Sequence, residues 1–448
     1  MMKRVYILGL GASGLSVLRY CQRLKLACEI FDTRLNPPGL AEFKQQYPML
    51  KIHLGPLVPE VLLKATQILI SPGLDPHNPA LNLARAAGIP IIGDIELFSL
   101  VAKAPIIGIT GTNAKGTVTT LIALMLQAAG YRTLVGGNIG IPVLDLLQEP
   151  VPDYYVLELS SFQLETTVSL QAHAAVLLNI SEDHLDRHGS MTAYLSAKKV
   201  IYHHAQYGIL NRDEPLTWPV NVTPKQSFSF GHSEPSHARE CGFRLVGGES
   251  YLACGQKNIL AIKQLRIKGN HNALNALAAL ALGFSLQLPI AAMIEALTAF
   301  SGLAHRCQFI KEHDQVTWYN DSKGTNVGAT LAALKGLGMQ KNLILIAGGV
   351  GKGQDFVPLA AVVAHTCKIV IVLGEVAEYL SLLLKDCAVI IAVSSLAEAV
   401  TVANRLATAG NCVLLSPACA SLDMFKNFED RGEQFVALVN NLPPLLRR

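Results

Sequence analysis

Ile106-Ile107-Gly108-Ile109-Thr110-Gly111-Thr112-Asn113-Ala114-Lys115-Gly116-Thr117 is the stretch on which the fold turns. An apolar β-type run feeds a polar turn with a glycine and a lysine, and an apolar helical pattern continues over 118–129. Strand, turn and helix in that order make a phosphate cradle. The free N–H groups and positive dipole end of the helix face the turn, and the lysine ammonium adds charge. The stretch departs from the GxxxxGK[ST] pattern, because Ile109 stands where the first glycine belongs. By itself it also fits an ordinary strand-to-helix turn with a solvated lysine.

Upstream lies a second strand–glycine–helix unit. Arg4-Val5-Tyr6-Ile7-Leu8 runs into Gly9-Leu10-Gly11-Ala12-Ser13-Gly14, then an amphipathic stretch over 15–24, then a β-type run over 27–31 ending in Asp32-Thr33-Arg34. That is the first half of a Rossmann-like unit, in which the acid after the second strand commonly meets a sugar hydroxyl. Alone, Gly9-x-Gly11-x-x-Gly14 suggests a nicotinamide cofactor. A further strand over 67–70 ends in Ser71-Pro72-Gly73, Ile91-Ile92-Gly93-Asp94 follows, and the pattern restarts at Pro105.

Downstream, β-type runs over 155–159 and 174–178 lead into Glu158-Leu159-Ser160-Ser161 and Asn179-Ile180-Ser181-Glu182-Asp183-His184, where a parallel sheet carries its chemistry. Residues 215–251 read as loops and short strands. From Ser301 onward, strands at 343–347, 369–373, 389–393 and 412–415 with helices between them make a third α/β unit. The expected fold is α/β in three domains. These are a Rossmann-like N-terminal domain over 1–95, a central P-loop ATPase-like domain over 96–300 and a C-terminal Rossmann-like domain over 301–448.

Half of the 448 residues are hydrophobic and 16% are charged, enough apolar material for several cores and too little charge for a disordered chain. The most apolar stretch, 273–300, is interrupted by Asn275, Gln287, Pro289 and Glu295, which suits packed helices rather than a membrane span of about 20 residues. The N-terminus lacks a signal-peptide core, so a cytoplasmic location and no membrane insertion are expected. A net charge of +4 without a long basic run argues against nucleic acid. Nine cysteines with no CxxC spacing are expected to be free thiols in a reducing cytosol.

Thr110-Gly111-Thr112-Asn113-x-Lys115 resembles the TGTNGK[ST]T loop of the Mur ligase superfamily. Further blocks resemble that family in its own order. They are Glu158 to Leu164, Asn179 to Arg187, Gly269-Asn270-His271-Asn272-Ala273-Leu274-Asn275-Ala276, His305-Arg306, Asn320-Asp321-Ser322-Lys323-Gly324-Thr325-Asn326 and Ser416 to Phe425. Within the superfamily, the Gly9-Leu10-Gly11 turn with Asp32-Thr33-Arg34, the 159–165 block and the 416–428 block are most similar to the D-glutamate-adding branch. Folylpolyglutamate synthases share the later domains but lack such an N-terminal domain.

The resemblance implies an ATP- and Mg²⁺-dependent, amide-forming ligase of peptidoglycan precursor synthesis, whose substrates are UDP-N-acetylmuramoyl-L-alanine and D-glutamate. The alanyl carboxylate takes the γ-phosphoryl group of ATP, and the amine of D-glutamate attacks the acyl phosphate. The implied catalytic residues are Lys115, Glu158, His184 and Lys198, with Glu158, His184 and a carbamylated Lys198 as metal ligands. ATP is implied at Gly111, Thr112, Asn113, Lys115, Gly116, Thr117, Asn272, Asn275, Arg306, Asp321 and Lys323. The UDP-sugar is implied at Ala12, Ser13, Asp32, Thr33, Arg34, Gly73, Asn138 and Ser160, and D-glutamate at Thr325, Lys352, Ser421, Leu422 and Phe428. A monomer is the default expectation.

Two loop positions depart from the family pattern. Ala114 stands for glycine, which costs roughly 1–2 kcal/mol if the position needs positive φ. Gly116 stands for serine or threonine and removes the hydroxyl that P-loops place on Mg²⁺. Gly324 for alanine and Val350 in the turn Gly348-Gly349-Val350-Gly351-Lys352-Gly353 are smaller departures. The competing readings are a non-catalytic or ATP-impaired nucleotide-sugar-binding homologue, a Mur ligase for another amino acid, and a nicotinamide-dependent oxidoreductase.

Overall fold

The structure is a computed structural model that describes residues 4–220, 224–267, 269–338 and 341–442. Met1–Lys3, used above in reading the N-terminus, and the end of the expected third domain lie outside the described residues. Three sheets organise the chain, and each forms where the sequence offers runs apolar enough to be covered on both faces.

The first sheet holds β1 (Arg4–Leu8), β2 (Ala27–Asp32), β3 (Ile52–Leu54), β4 (Gln67–Ile70) and β5 (Ile91–Gly93), in the order β3-β2-β1-β4-β5. All its pairings are parallel, and the order reverses between β1 and β4, which opens a crevice at their carboxyl ends. The second sheet holds β6 (Ile106–Thr110), β7 (Thr133–Gly137), β8 (Tyr154–Glu158), β9 (Ala172–Leu177), β10 (Tyr207–Asn211), β11 (Gln226–Phe230), β12 (Glu240–Val246), β13 (Glu249–Cys254) and β14 (Lys257–Ala261). Its order is β14-β13-β12-β11-β10-β9-β6-β8-β7, parallel from β7 to β12 and antiparallel at β12-β13-β14. The third sheet holds β15 (Gln308–His313), β16 (Val316–Asn320), β17 (Leu343–Gly348), β18 (Cys367–Leu373), β19 (Val389–Ala392) and β20 (Cys412–Leu415), in the order β15-β16-β20-β17-β18-β19.

The described chain forms two compact units. The first comprises Met1–Ile180, Gly189–Ala261 and Ala276–Leu297, and the second Ser181–His188, Ile262–Asn275 and Thr298–Arg448. In the first unit a continuous apolar cluster joins Ile7, Leu18 and Phe98 to Tyr155, Leu157 and Leu177. In the second, alternation along β17 sends Leu343 and Leu345 to one cluster and Ile344 and Ile346 to the other, on opposite sheet faces. Among the described residues no helix is long and apolar enough to cross a membrane. The apolar stretch 273–300 lies in helices Asn270–Ser285 and Ile290–Ala299.

Three expectations need correction. The sequence offers no clear signal for the antiparallel pair β15/β16, because the adjacent Lys311 and Glu312 break the period-2 pattern of β15 and β16 is a run of only five residues. The helix after the phosphate loop begins at Lys115, so Gly116 and Thr117 lie in its first turn. Cys241 and Cys254 form a disulfide, whereas the sequence reading made all nine thiols free. They sit directly opposite each other on β12 and β13, with Cα atoms 4.1 Å apart, a register that spacing alone does not reveal.

Candidate active site

In the first unit a cavity of about 550 Å³ opens at the carboxyl ends of the strands. Seven of the eight residues expected at a UDP-sugar line it: Ala12, Ser13, Thr33, Arg34, Gly73, Asn138 and Ser160. The glycine turn gives close backbone approach, since a Cβ on Gly14 would run into the Gly9 carbonyl. Asp32 does not line the cavity. It is fully buried, and its oxygens accept from Leu10 N (2.7 Å), Arg34 N (2.9 Å), Arg34 Nε (2.9 Å) and Arg34 Nη2 (2.8 Å). Burial alone would push this carboxyl up, but the Arg34 and Leu10 hydrogen bonds together hold it below the ordinary carboxylate range. Asp32 therefore shapes the cavity by holding Arg34 and the Leu10 backbone. The expected direct sugar contact is not what its geometry offers.

The wall formed by β8 is built by a capping box. Ser160 caps helix Ser161–Leu164 by accepting from Gln163 N, while the Gln163 side chain accepts from Ser160 N at 3.1 Å. Asn138, just past β7, donates to Glu158 Oε1 at 2.7 Å, and its backbone N–H donates to the Glu158 carbonyl at 2.8 Å. That contact fixes the carboxylate. Its other oxygen, Oε2, is buried without a hydrogen-bond partner. A buried carboxylate oxygen left in that state is costly unless a cation or donor arrives.

The loop after β6 has the strain anticipated from its sequence. Ala114 lies in the left-handed region, with φ 66°, and caps helix Lys115–Ala128. Lys115 Nζ donates to the carbonyls of Gly111 and Thr112, both at 2.8 Å. Lys198 is buried, and its Nζ also donates to the Gly111 carbonyl at 2.8 Å. Two ammonium groups thus converge on one oxygen, a setting that favours an incoming anion. Lys199, its neighbour, is only partly buried. Thr112 lies 3.2 Å from the Tyr194 hydroxyl, and the Lys198 ammonium sits 4.7 Å from the Tyr194 ring centroid. Asn113 is zipped to Asn179 through its N–H (2.8 Å) and its carbonyl (3.2 Å). Gly116 and Thr117 are buried in the first helical turn.

In the second unit Asp321, at the end of β16, is buried. It accepts from Cys307 N at 3.1 Å and Ser416 Oγ at 2.6 Å, and burial pushes it up to about 6. A Cβ on Gly324 would lie 2.5 Å from Asp321 Oδ2, so the family's alanine would make the Asp321 side chain or the loop shift here. Lys323 Nζ stands 3.7 Å from the Phe428 ring centroid. Asn275 donates to Asn272 at 3.3 Å. Arg306 adds positive charge that acts on Asp321. Lys352, with φ 53°, lies 3.6 Å from Asp183, which also accepts from Asn326 at 3.4 Å. His184, with φ 54°, belongs to this unit and lies 3.7 Å from Asp183. Thr325 is half-buried, Ser421 is buried and Leu422 is 71% exposed. Val350 pairs its backbone with Ala420, which anchors the glycine turn whatever the side chain.

Sequence reading gave no role to Asn179, Gln163, Tyr194 or Arg431, although Asn179 and Gln163 lie within the quoted blocks. Arg431 is buried and binds Ser322 Oγ (3.0 Å), the Ser322 carbonyl (2.8 Å) and the Cys419 carbonyl (3.2 Å), and burial lowers it to about 10. The signal for Gln163 was present as the spacing of Ser160 and Gln163 in a capping box. The others depend on distant pairing.

The chain matches the Mur ligase MurD-like N-terminal domain over residues 3–93, the Mur ligase middle domain over 109–283 and the Mur ligase glutamate ligase domain over 305–419. It is 48% identical over 438 residues to a UDP-N-acetylmuramoylalanine–D-glutamate ligase of Pseudomonas fluorescens, covering 97% of each chain. It is 47% identical over 436 residues to one of Nitrosococcus oceani, covering 97% of this chain and 96% of that one. Among solved structures, a UDP-N-acetylmuramate–alanine ligase of Thermotoga maritima shares the fold, with TM-score 0.61 and 20% identity over 98% of this chain and 99% of that one. A pseudomurein peptide ligase type C of Methanothermus fervidus does so with TM-score 0.57 and 20% identity, covering 98% of this chain and 100% of that chain. Match over nearly the whole length, at this identity and through all three kinds of domain, means that the chain belongs to the Mur ligase family and groups with its D-glutamate ligases.

Proposed function

We infer that this chain joins D-glutamate to the alanyl carboxylate of UDP-N-acetylmuramoyl-L-alanine at the expense of ATP, in the cytoplasm, as a step of peptidoglycan precursor synthesis. The observation that carries the reading is identity of 47–48% to D-glutamate ligases over 97% of the chain. We assign residues 1–95 to the UDP-sugar, 96–300 to ATP and 301–448 to the amino acid.

The residues support this division chemically. Arg34 and the N-terminus of helix Ala12–Arg23 suit a diphosphate. Lys115 and Lys198 suit the negative charge of a transferring phosphoryl group, which needs positioning and neutralisation more than covalent help. Among the described residues no group of three or more His, Cys, Asp and Glu could hold a metal. Mg²⁺ does not need one, since it keeps several waters and takes one or two carboxylates beside substrate phosphates. The unsatisfied Glu158 Oε2 fits that demand, with Asn138 holding the carboxylate in place. When bound, Mg²⁺ neutralises phosphate charge at the γ-position. Glu158, His184 and Lys198 are the residues we assign to it, Lys198 once its amine has taken up CO₂ and lost a proton. Asn272, Asn275, Arg306, Asp321 and Lys323 are assigned to the nucleotide. Thr325, Lys352, Ser421, Leu422 and Phe428 are assigned to D-glutamate, with Lys352 facing a carboxylate as it now faces Asp183.

Phosphate release in mixtures lacking one component at a time tests the reading, beside a Gly116→Ser variant. Turnover that needs ATP, Mg²⁺, UDP-N-acetylmuramoyl-L-alanine and D-glutamate together is expected from the parent chain. Turnover only in the variant would mean that the missing hydroxyl disables ATP use. Silence in both would contradict the ligase.

A further inference from the structure

Asp94 begins helix Asp94–Val101 directly after β5 and is buried, 3% exposed. Its Oδ2 accepts from Gln163 Nε2 at 3.2 Å and its Oδ1 from Ile95 N at 2.9 Å. These partners are all neutral. Burial pushes the carboxyl up, against the pull of the helix N-terminus at which it sits.

What an acid does here is set direction. Asp94 Oδ2 accepts from Gln163, which turns its NH₂ toward Asp94. Its amide oxygen then points at Ser160, where it accepts from the backbone N–H at 3.1 Å and from Oγ at 3.3 Å. The Ser160 hydroxyl proton is thereby directed into the wall. Ser160 lines the 550 Å³ cavity, and its remaining lone pair faces ligand donors such as sugar hydroxyls or amide N–H groups better than phosphate oxygens. An amide at position 94 could turn its NH₂ toward Gln163, so Gln163 could flip and Ser160 would lose its fixed polarity.

We propose that Asp94 is a positioning residue for the nucleotide-sugar cavity, fixing through Gln163 the hydrogen-bond polarity of Ser160. The proposal rests on reading that cavity as the UDP-sugar site. It predicts a particular signature for Asp94→Asn. Calorimetric Kd and steady-state KM for UDP-N-acetylmuramoyl-L-alanine rise about tenfold, the scale of one or two misdirected hydrogen bonds. At saturation kcat, and KM for ATP and D-glutamate, stay within about twofold. The melting temperature holds or rises, because a buried acid with neutral partners is replaced by a neutral amide.

A merely structural acid would instead lower the melting temperature and reduce kcat with everything else. Gln163→Met, which removes the relay, provides a second route and is expected to weaken the same substrate. Nucleotide-sugar affinity equal to wild type in either variant would overturn the proposal, as would a fall in melting temperature with a proportionate loss of kcat. Failure of the wild type to bind the nucleotide sugar would be a different result. It would overturn the reading of the cavity, and the role of Asp94 with it.

Discussion

Two buried aspartates, one in each compact unit, show how differently the same side chain is used. Asp32 is enclosed by Arg34 and backbone N–H groups and is held below the ordinary range. Asp321 is enclosed by a backbone N–H and a serine hydroxyl and is pushed up to about 6. Burial is common to both, so the contacting partner decides the sign. The first acid is locked as an anion that presents a cation to a cavity. The second is left close to neutrality, ready to gain or lose charge when a ligand brings its own.

The largest expected effect comes from removing the cation. Arg34→Met leaves Asp32 buried with only backbone donors and is expected to cost about 3 kcal/mol at neutral pH. That is the low end for a broken buried pair, because the guanidinium is half exposed and screened. Denaturant unfolding measures it, and a cost near zero would erase the contrast. Next is Gly324→Ala, whose new methyl would press on Asp321 Oδ2. A loss of about 1–2 kcal/mol and a raised KM for ATP are expected. An alanine tolerated at no cost would show that the loop around Asp321 is looser than its contacts indicate.

The smallest effect is the slope of stability with pH. Asp321, raised from 3.8 to about 6, contributes stability that is fully present below pH 3.8 and lost as pH rises through about 6. Asp32, depressed, contributes stability that is present above pH 3.8 and lost as pH falls through its lower folded value. Asp321→Asn is expected to flatten the unfolding free energy between pH 4 and 6, with little change below that window. An unaltered slope would place the titration elsewhere.

Local chemistry was legible in the sequence and long-range pairing was not. The strand, turn and helix around Lys115 follow from adjacent residues, and so does the left-handed strain at Ala114. The glycine turn at Gly9 and the strands Gln67–Ile70 and Cys412–Leu415 are likewise local patterns. Asp32 was visible as an acid after a strand, but whether it meets a ligand or Arg34 depends on how Arg34 folds back. The link from Asp94 to Gln163 spans 69 residues, and that from Asn113 to Asn179 spans 66. No periodicity announces either. The Cys241–Cys254 pair was missed for the same reason, since hairpin register, not spacing, makes the two residues face each other.

The central claim is that the alanyl carboxylate itself takes the phosphoryl group before D-glutamate attacks. UDP-N-acetylmuramoyl-L-alanine labelled with ¹⁸O in both carboxylate oxygens, turned over with ATP, Mg²⁺ and D-glutamate, tests this through the mass of the released phosphate. One ¹⁸O atom per phosphate is the predicted result, because the carboxylate oxygen leaves with phosphorus when the amide bond forms. Unlabelled phosphate accompanying amide product would contradict it.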